Sequence, residues 1–277
     1  MTPIRIATCH VLPEADSDQE LLGRALAAAG FEPRLVAWDD PDADWGAPIP
    51  TVIRSTWNYA HDVDGFVAWA EHAAAAAPLW NPIEIVRGNL RKRYLLELAA
   101  RGVNIVPTIL VERGAALPAL AGRCVIKPEV GAGSLHARAF DAGDPEARAH
   151  LAALTARGAA LVQPYVASVD DYGERSIICI DGELTHAIRK TPRFSGGVER
   201  TTGPFPIADD ERALALAALA PVLDRALYGR VDMARDDAGR PMVMELELVE
   251  PSLFFTKSPA ALDRFVTALR ARLARRS

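Results

Sequence analysis

The sequence of 277 residues predicts an α/β fold, with an α+β part toward its C-terminal end. Three observations carry that reading. Apolar strand-length runs alternate with helical stretches over residues 1 to about 85, the pattern of βαβ units. Two strand-turn-strand signatures follow, at Asp181-Gly182 and at Asp237 to Arg240, each between apolar runs. A closing stretch from Pro259 to Arg275 places Leu262, Phe265, Val266 and Leu269 on one helical stripe.

Taken in order, Ile4 to Cys9 is a short apolar strand, and Ser17 or Asp18 can cap a helix that Gly30 ends. Glu32 to Ala37 and Thr51 to Arg54 are further strands, and His61 to Ala77 is an Ala-rich helix. Trp80-Asn81-Pro82 is a turn, after which the pattern predicts one helix from Val86 to Arg101, stopped by Gly102. Val106 to Val111 and Arg123 to Lys127 are strands, then comes a Gly131-Ala132-Gly133 loop and a helix from Glu146 to Arg157. Leu161 to Val166, Arg175 to Ile180 and Glu183 to Lys190 are strands, the last two forming a hairpin. Thr191 to Pro206 is polar and Gly-rich, long enough for a mobile active-site loop, and Asp209 to Ala226 is a helix. The expected organisation is an N-terminal α/β unit over 1–85, a central unit over 86–160 and a C-terminal unit over 161–277.

Composition is that of a globular protein, 50% hydrophobic and 24% charged. A net charge of −5 with no basic stripe argues against a nucleic-acid partner. No apolar run approaches the roughly 20 residues that span a bilayer, so no membrane partner is expected. No signal peptide is visible, and the three cysteines form no metal or redox pair, so a cytoplasmic setting is the default.

The most informative stretch runs from Val231 to Glu247. Asp232 sits on its first strand, Glu245 and Glu247 on its second. Residues two apart on a strand share a face, and a hairpin can bring Asp232 onto that face. Clustered carboxylates repel unless a cation sits among them. Hard oxygen ligands without His or Cys favour Mg²⁺, typically carried by nucleotide phosphates. The alternative is a solvated acidic strand edge. Upstream, Lys127 ends the apolar strand Cys124-Val125-Ile126-Lys127, where an ammonium is costly unless an anion meets it. The following Gly131-Ala132-Gly133-Ser134 loop can present backbone N–H groups to phosphate, or is simply a turn.

Lys92, Lys127 with its Gly loop, the Leu161 to Val166 strand, and the set Asp232, Glu245 and Glu247 follow one another in an order that resembles the ATP-grasp superfamily. That resemblance implies the ATP-grasp fold with an N-terminal α/β domain preceding the clamp. It implies ATP and Mg²⁺ as cofactors, with Mn²⁺ as an alternative metal. Lys92 and Lys127 would hold phosphates, and Gly131, Gly133 and Ser134 would cover them. Gln163, Tyr165 and Val166 would line the adenine hinge, Glu174 would join the nucleotide set, and Asp232, Glu245 and Glu247 would hold the metal. The chain departs from the family at Glu247, where Asn is usual. Within the superfamily, Gly173 to Ser176, Asp181 to Lys190, Glu245 to Leu253 and Arg54 to Tyr59 are similar to glutathione-synthetase-like members. The nearest likeness is to a bacterial subgroup that includes the O-ureidoserine cyclo-ligase of cycloserine biosynthesis.

A two-residue turn at Asp181-Gly182 predicts Ile180 opposite Glu183 and Ile177 opposite His186. Arg175, His186, Ile188 and Lys190 would then share a cationic face, with Glu174 and Arg189 opposed on the other. His186 is either catalytic or a neutral buried histidine, and Trp57 and Tyr59 are either substrate walls or packing. Arg54, Lys190 and Arg200 are the catalytic candidates, although Arg200 could equally be a solvated loop charge. Their surplus positive charge predicts a small amino-acid-like or acidic substrate. The implied reaction is phosphorylation of a substrate carboxylate by ATP, then attack by an amine to form a C–N or cyclised bond with release of ADP. Two alternatives stand beside it: a ligase joining two separate substrates, and an ATP-binding module without turnover. A homodimer is a possible assembly for ligases of this kind.

Overall fold

The computed structural model describes residues 1–133, 135–191 and 200–275. Three sheets organise them. The first is parallel, in the order β2-β1-β3-β4, from β1 (Thr2–Thr8), β2 (Phe31–Ala37), β3 (Thr51–Ile53) and β4 (Leu79–Trp80). Helix α1 (Gln19–Ala28) follows β1, and α2 (Val63–Ala76) starts where the Asp62 side chain accepts the Gly65 N–H. Asp18 precedes α1 but makes no side-chain bond to it.

The expected single helix from Val86 to Arg101 is two: α3 (Ile83–Asn89) and α4 (Tyr94–Ala100). The break has a cause in other contacts. The Asn89 side chain donates to Leu246 O and accepts from Leu248 N, and the Lys92 N–H bonds Glu129 O at 2.9 Å instead of continuing the helical ladder. Breaking the helix there puts Lys92 beside the loop after Lys127.

The second sheet is antiparallel, order β5-β8-β6-β7, from β5 (Ile109–Val111), β6 (Cys124–Pro128), β7 (Arg138–Phe140) and β8 (Ala160–Pro164), backed by α5 (Pro145–Thr155). Because β8 lies between β5 and β6, this sheet runs on to Pro164, past the edge expected at residue 160.

The third sheet is antiparallel, order β11-β10-β9-β12-β13, from β9 (Glu174–Ile180), β10 (Glu183–Lys190), β11 (Thr201–Phe205), β12 (Tyr228–Arg235) and β13 (Pro241–Glu247). A short helix, α6 (Ser168–Asp171), leads into it, and α7 (Asp209–Leu219) packs on β12 and β13. The last helix, α8 (Pro259–Ala274), buries Leu262, Phe265, Val266 and Leu269, the stripe its sequence predicts. Phe205 pairs with Ala187, so β11 occupies part of the stretch expected as a loop from Thr191 to Pro206; residues 192–199 lie outside the described residues.

The hairpin of β9 and β10 corrects the predicted register. Ile180 opposes Glu183, but a bulge at Thr185 puts His186 opposite Ile178, Arg189 opposite Arg175 and Lys190 opposite Glu174. One extra residue moves every later side chain to the other face. Lys190 therefore meets Glu174, and Arg175 leaves the expected cationic face. Among the described residues no helix is long and apolar enough to cross a membrane. Cys9, Cys124 and Cys179 are free and buried.

Candidate active site

A cavity of ≈ 640 Å³ is lined from the second sheet by Lys127 and Gln163 and from the third by Lys190, Asp232 and Glu245. The size suits a small-molecule site. On β12 and β13, Asp232 opposes Glu245 and Arg230 opposes Glu247, so these four side chains emerge on one face.

The carboxylates on that face are neutralised from within. Arg230 grips Asp232 with two bonds of 2.9 Å, Nε to Oδ1 and Nη2 to Oδ2, and also pairs with Glu247. Lys190 Nζ is 2.8 Å from Asp232 Oδ2 and pairs with Glu174. Lys127 Nζ is 2.7 Å from Glu245 Oε1. Burial alone would raise Asp232, but Arg230 and Lys190 outweigh it and hold the carboxyl well below its usual range. Burial likewise opposes ionisation of Glu245, and Lys127 with Lys92 brings it down to about 2. Glu174 and Glu247 go the other way, raised by burial and by the neighbouring carboxylate charge of Asp232 against the pull of their cations. Glu250, which also lines the cavity, is pushed up to about 8 by burial and then by the Glu247 charge.

The phosphate-side candidates cluster. Lys92 Nζ donates to Gly131 O at 2.6 Å, and Lys92, Lys127, Gly131 and Gly133 all line the cavity. Ser134 lies outside the described residues. Gln163, Tyr165 and Val166 form another wall. Gln163 is held by a 2.8 Å bond from its Nε2 to Thr108 Oγ1, and the Arg123 guanidinium covers the Tyr165 ring at 3.6 Å from its centroid. The phenol of Tyr165 bonds Asp170, and burial with that bond pushes it up to about 12.

Other candidates are placed elsewhere. Arg54 is buried outside the cavity wall, donating to Pro251 O at 2.8 Å with Asp18 at 3.6 Å. Its charge is used between segments of the chain, away from the cavity expected to hold it. Arg200 is exposed just before β11 and does not line the cavity. Arg175 points to α7, where Glu211 accepts two bonds of 3.0 Å. His186 is buried away from the cavity, and burial lowers it to about 4, the neutral form. Trp57 lines the cavity and donates from Nε1 to Glu250 O at 3.0 Å, while Tyr59 also packs on Phe66.

The three-carboxylate metal set does not assemble as expected. Among the described residues no group of three His, Cys, Asp or Glu side chains stands at metal-holding spacing. Both Asp232 oxygens are taken by Arg230, and Lys190 and Ser176 add one bond each. Glu245 and Glu247 differ: each has its cation on one oxygen and faces the cavity. Two hard carboxylates beside a phosphate-sized space fit Mg²⁺.

Sequence reasoning missed Arg230 and Glu250. Arg230-Val231-Asp232 carries a signal, since residues two apart on a strand share a face and a cation beside a buried carboxylate offsets its charge. Glu250 has none short of the fold, because it follows β13 in an irregular segment.

An antiparallel sheet with a strand-end Lys, opposed across a small-molecule cavity by an acidic hairpin, is the arrangement the ATP-grasp resemblance implies, and the chain's known relatives establish that class. The protein is an enzyme of that class, ADP-forming. A family model for the N-terminal domain of D-cycloserine synthetase DcsG matches residues 4–81. The cycloserine biosynthesis protein DcsG of Streptomyces lavendulae is 38% identical over 295 aligned positions, which cover 98% of each protein. The crystal structure of D-cycloserine synthetase DcsG superposes with a TM-score of 0.88 at 33% identity, over 98% of this chain and 99% of that one. D-alanine–D-alanine ligase from Bacillus anthracis shares the fold, with a TM-score of 0.70 at 15% identity over 99% of this chain and 100% of that one. The chain belongs to the DcsG family of ATP-grasp ligases.

Proposed function

We propose that the enzyme uses Mg²⁺ and ATP to activate the carboxylate of a small zwitterionic amino acid of the O-ureidoserine type and closes a ring on it. One observation carries this reading. Lys127, Lys190 and Arg230 converge with Glu245 and Glu247 on one cavity, in a chain 38% identical to a cycloserine biosynthesis protein.

Lys92 and Lys127 hold the β- and γ-phosphates, each releasing its present oxygen partner to do so. Gln163 to Val166 hold the adenine through backbone groups. Glu245 and Glu247 hold Mg²⁺, which when bound supplies positive charge at the phosphate oxygens. Lys190 and Arg230 orient the substrate carboxylate. A carboxylate oxygen attacks the γ-phosphorus, the bond to ADP breaks, and an acyl phosphate forms. The substrate's own nitrogen then attacks the carbonyl carbon, and inorganic phosphate leaves with the former carboxylate oxygen. The two side chains stabilise charge as it develops. Free buried cysteines fit a reducing, cytoplasmic setting.

The test follows ADP release with Mg²⁺ and ATP over a panel of amino acids and their ureido and hydroxy derivatives. O-Ureidoserine is expected to stimulate release and apolar amino acids are not. Stimulation by peptides alone contradicts the reading.

A further inference from the structure

Asp18 is 0% exposed at the head of α1, yet its carboxylate serves another part of the chain. Oδ2 accepts the Leu253 N–H at 2.9 Å, and Oδ1 accepts the Phe255 N–H at 2.8 Å. One side chain thus bridges the two amides that flank Phe254. Arg54 completes the strap, with Nη2 3.6 Å from Asp18 Oδ2 and Nη1 donating to Pro251 O at 2.8 Å.

The residue between the clamped amides is unusual. Phe254 has φ 52° and ψ 42°, the left-handed region that a bulky side chain rarely adopts. Such a conformation persists only where surrounding contacts over-determine it. Phe254 lines the cavity, and the Arg230 guanidinium carbon lies 5.7 Å from its ring centroid. Arg230 Nη1 also donates to Ser252 O at 3.3 Å. The clamp therefore fixes the backbone angles of one aromatic cavity wall beside the cation that grips Asp232 and Glu247. A strap serving cohesion alone would not need to hold a bulky residue in that conformation.

We propose that Asp18, with Arg54, is a positioning residue that sets the Phe254 ring as the substrate-facing wall of the cavity beside Arg230. The inference rests on reading the Arg230–Phe254 end as the amino-acid subsite. It makes the N-terminal α/β unit a determinant of substrate fit, through a residue that touches neither substrate nor nucleotide.

The experiment measures KM for O-ureidoserine and for ATP separately, with thermal unfolding, in Asp18→Asn, Phe254→Leu and the double variant. Arg54→Lys provides a second, milder opening of the strap. Each single variant is expected to raise the amino-acid KM about tenfold and shift the ATP KM less than about twofold. The double variant is expected to be no worse than the worse single, because Asp18 acts through Phe254. Equal shifts in both KM values, an additive double variant, or an unchanged amino-acid KM in both Asp18→Asn and Arg54→Lys overturns the positioning role. An unchanged amino-acid KM in Phe254→Leu overturns the subsite assignment on which it stands.

Discussion

Lys127 and Glu245 hold each other across the cavity, Nζ 2.7 Å from Oε1, although they are 118 residues apart and lie on different sheets. The pair joins the Lys92–Lys127 side of the site to its acidic side. A buried ammonium and a half-buried carboxylate each favour an opposite charge, and here each supplies the other's. On the proposed function, binding Mg²⁺-ATP would exchange one arrangement of charges for another, with Lys127 turning to phosphate and Glu245 to the metal.

Lys127→Ala should therefore weaken ATP binding by about 1.5–3 kcal/mol, the range for hydrogen bonds to charged groups. Calorimetric titration checks it. Adding Glu245→Gln to Lys127→Ala should cost less than Glu245→Gln alone, because the carboxylate has already lost its partner. Equal nucleotide affinity in wild type and Lys127→Ala would remove this lysine from the phosphate site.

Glu245→Gln and Glu247→Gln keep side-chain size and remove one carboxylate charge each from the proposed metal site. Turnover at fixed low Mg²⁺ should fall about 10- to 100-fold, with part of the loss recovered at high Mg²⁺. Nucleotide affinity measured without metal should change much less. Full activity of both variants at ordinary Mg²⁺ would make the acidic hairpin structural.

Arg230 neutralises both Asp232 and Glu247 in a buried setting. Arg230→Met should destabilise the fold by about 1.5–3 kcal/mol, the range for losing hydrogen bonds to charged groups, because Asp232 keeps Lys190 while Glu247 loses its cation. Combining it with Asp232→Asn should lose less than the sum of the two. Urea unfolding of the three variants measures this.

The sequence carries much of this site and misses specific parts for physical reasons. Strand period places Glu245 and Glu247 on one face, because alternation is local; Asp232 joins them through the hairpin register, which shifts between Asp232 and Met233 so that Asp232 opposes Glu245. The bulge at Thr185 is not local: it exchanges the predicted Arg175–His186–Lys190 face for one in which Lys190 meets Glu174. Arg54 sits after a strand end where α/β sheets bind ligands, but Pro251, some two hundred residues on, takes its guanidinium. The helix expected through Leu90 to Arg93 breaks because Asn89 and Lys92 bond distant backbone, which periodicity cannot reveal. β7 is too short at Arg138–Phe140 to stand out between glycines.

Glu250 gives a pH-dependent prediction. Burial and then Glu247 raise its carboxyl from 4.5 to about 8. Between those values the folded protein holds a proton that the unfolded chain has released, so stability falls as pH rises through the window. Glu250→Gln removes that loss. The Tm of the variant relative to wild type should be lowest near pH 4.5 and should increase up to about pH 8, then level off. A Tm difference that stays constant with pH would show that the carboxyl is not shifted.

The most direct test of the account follows oxygen from substrate to phosphate. O-Ureidoserine labelled with oxygen-18 in its carboxylate is incubated with the enzyme, Mg²⁺ and unlabelled ATP, and the inorganic phosphate is analysed by mass spectrometry. Attack of the carboxylate on the γ-phosphorus, followed by displacement of phosphate from the carbonyl carbon, transfers one labelled oxygen to each phosphate released. Labelled phosphate formed in step with ADP is the expected result. Phosphate released without label, alongside ADP and product, would contradict it.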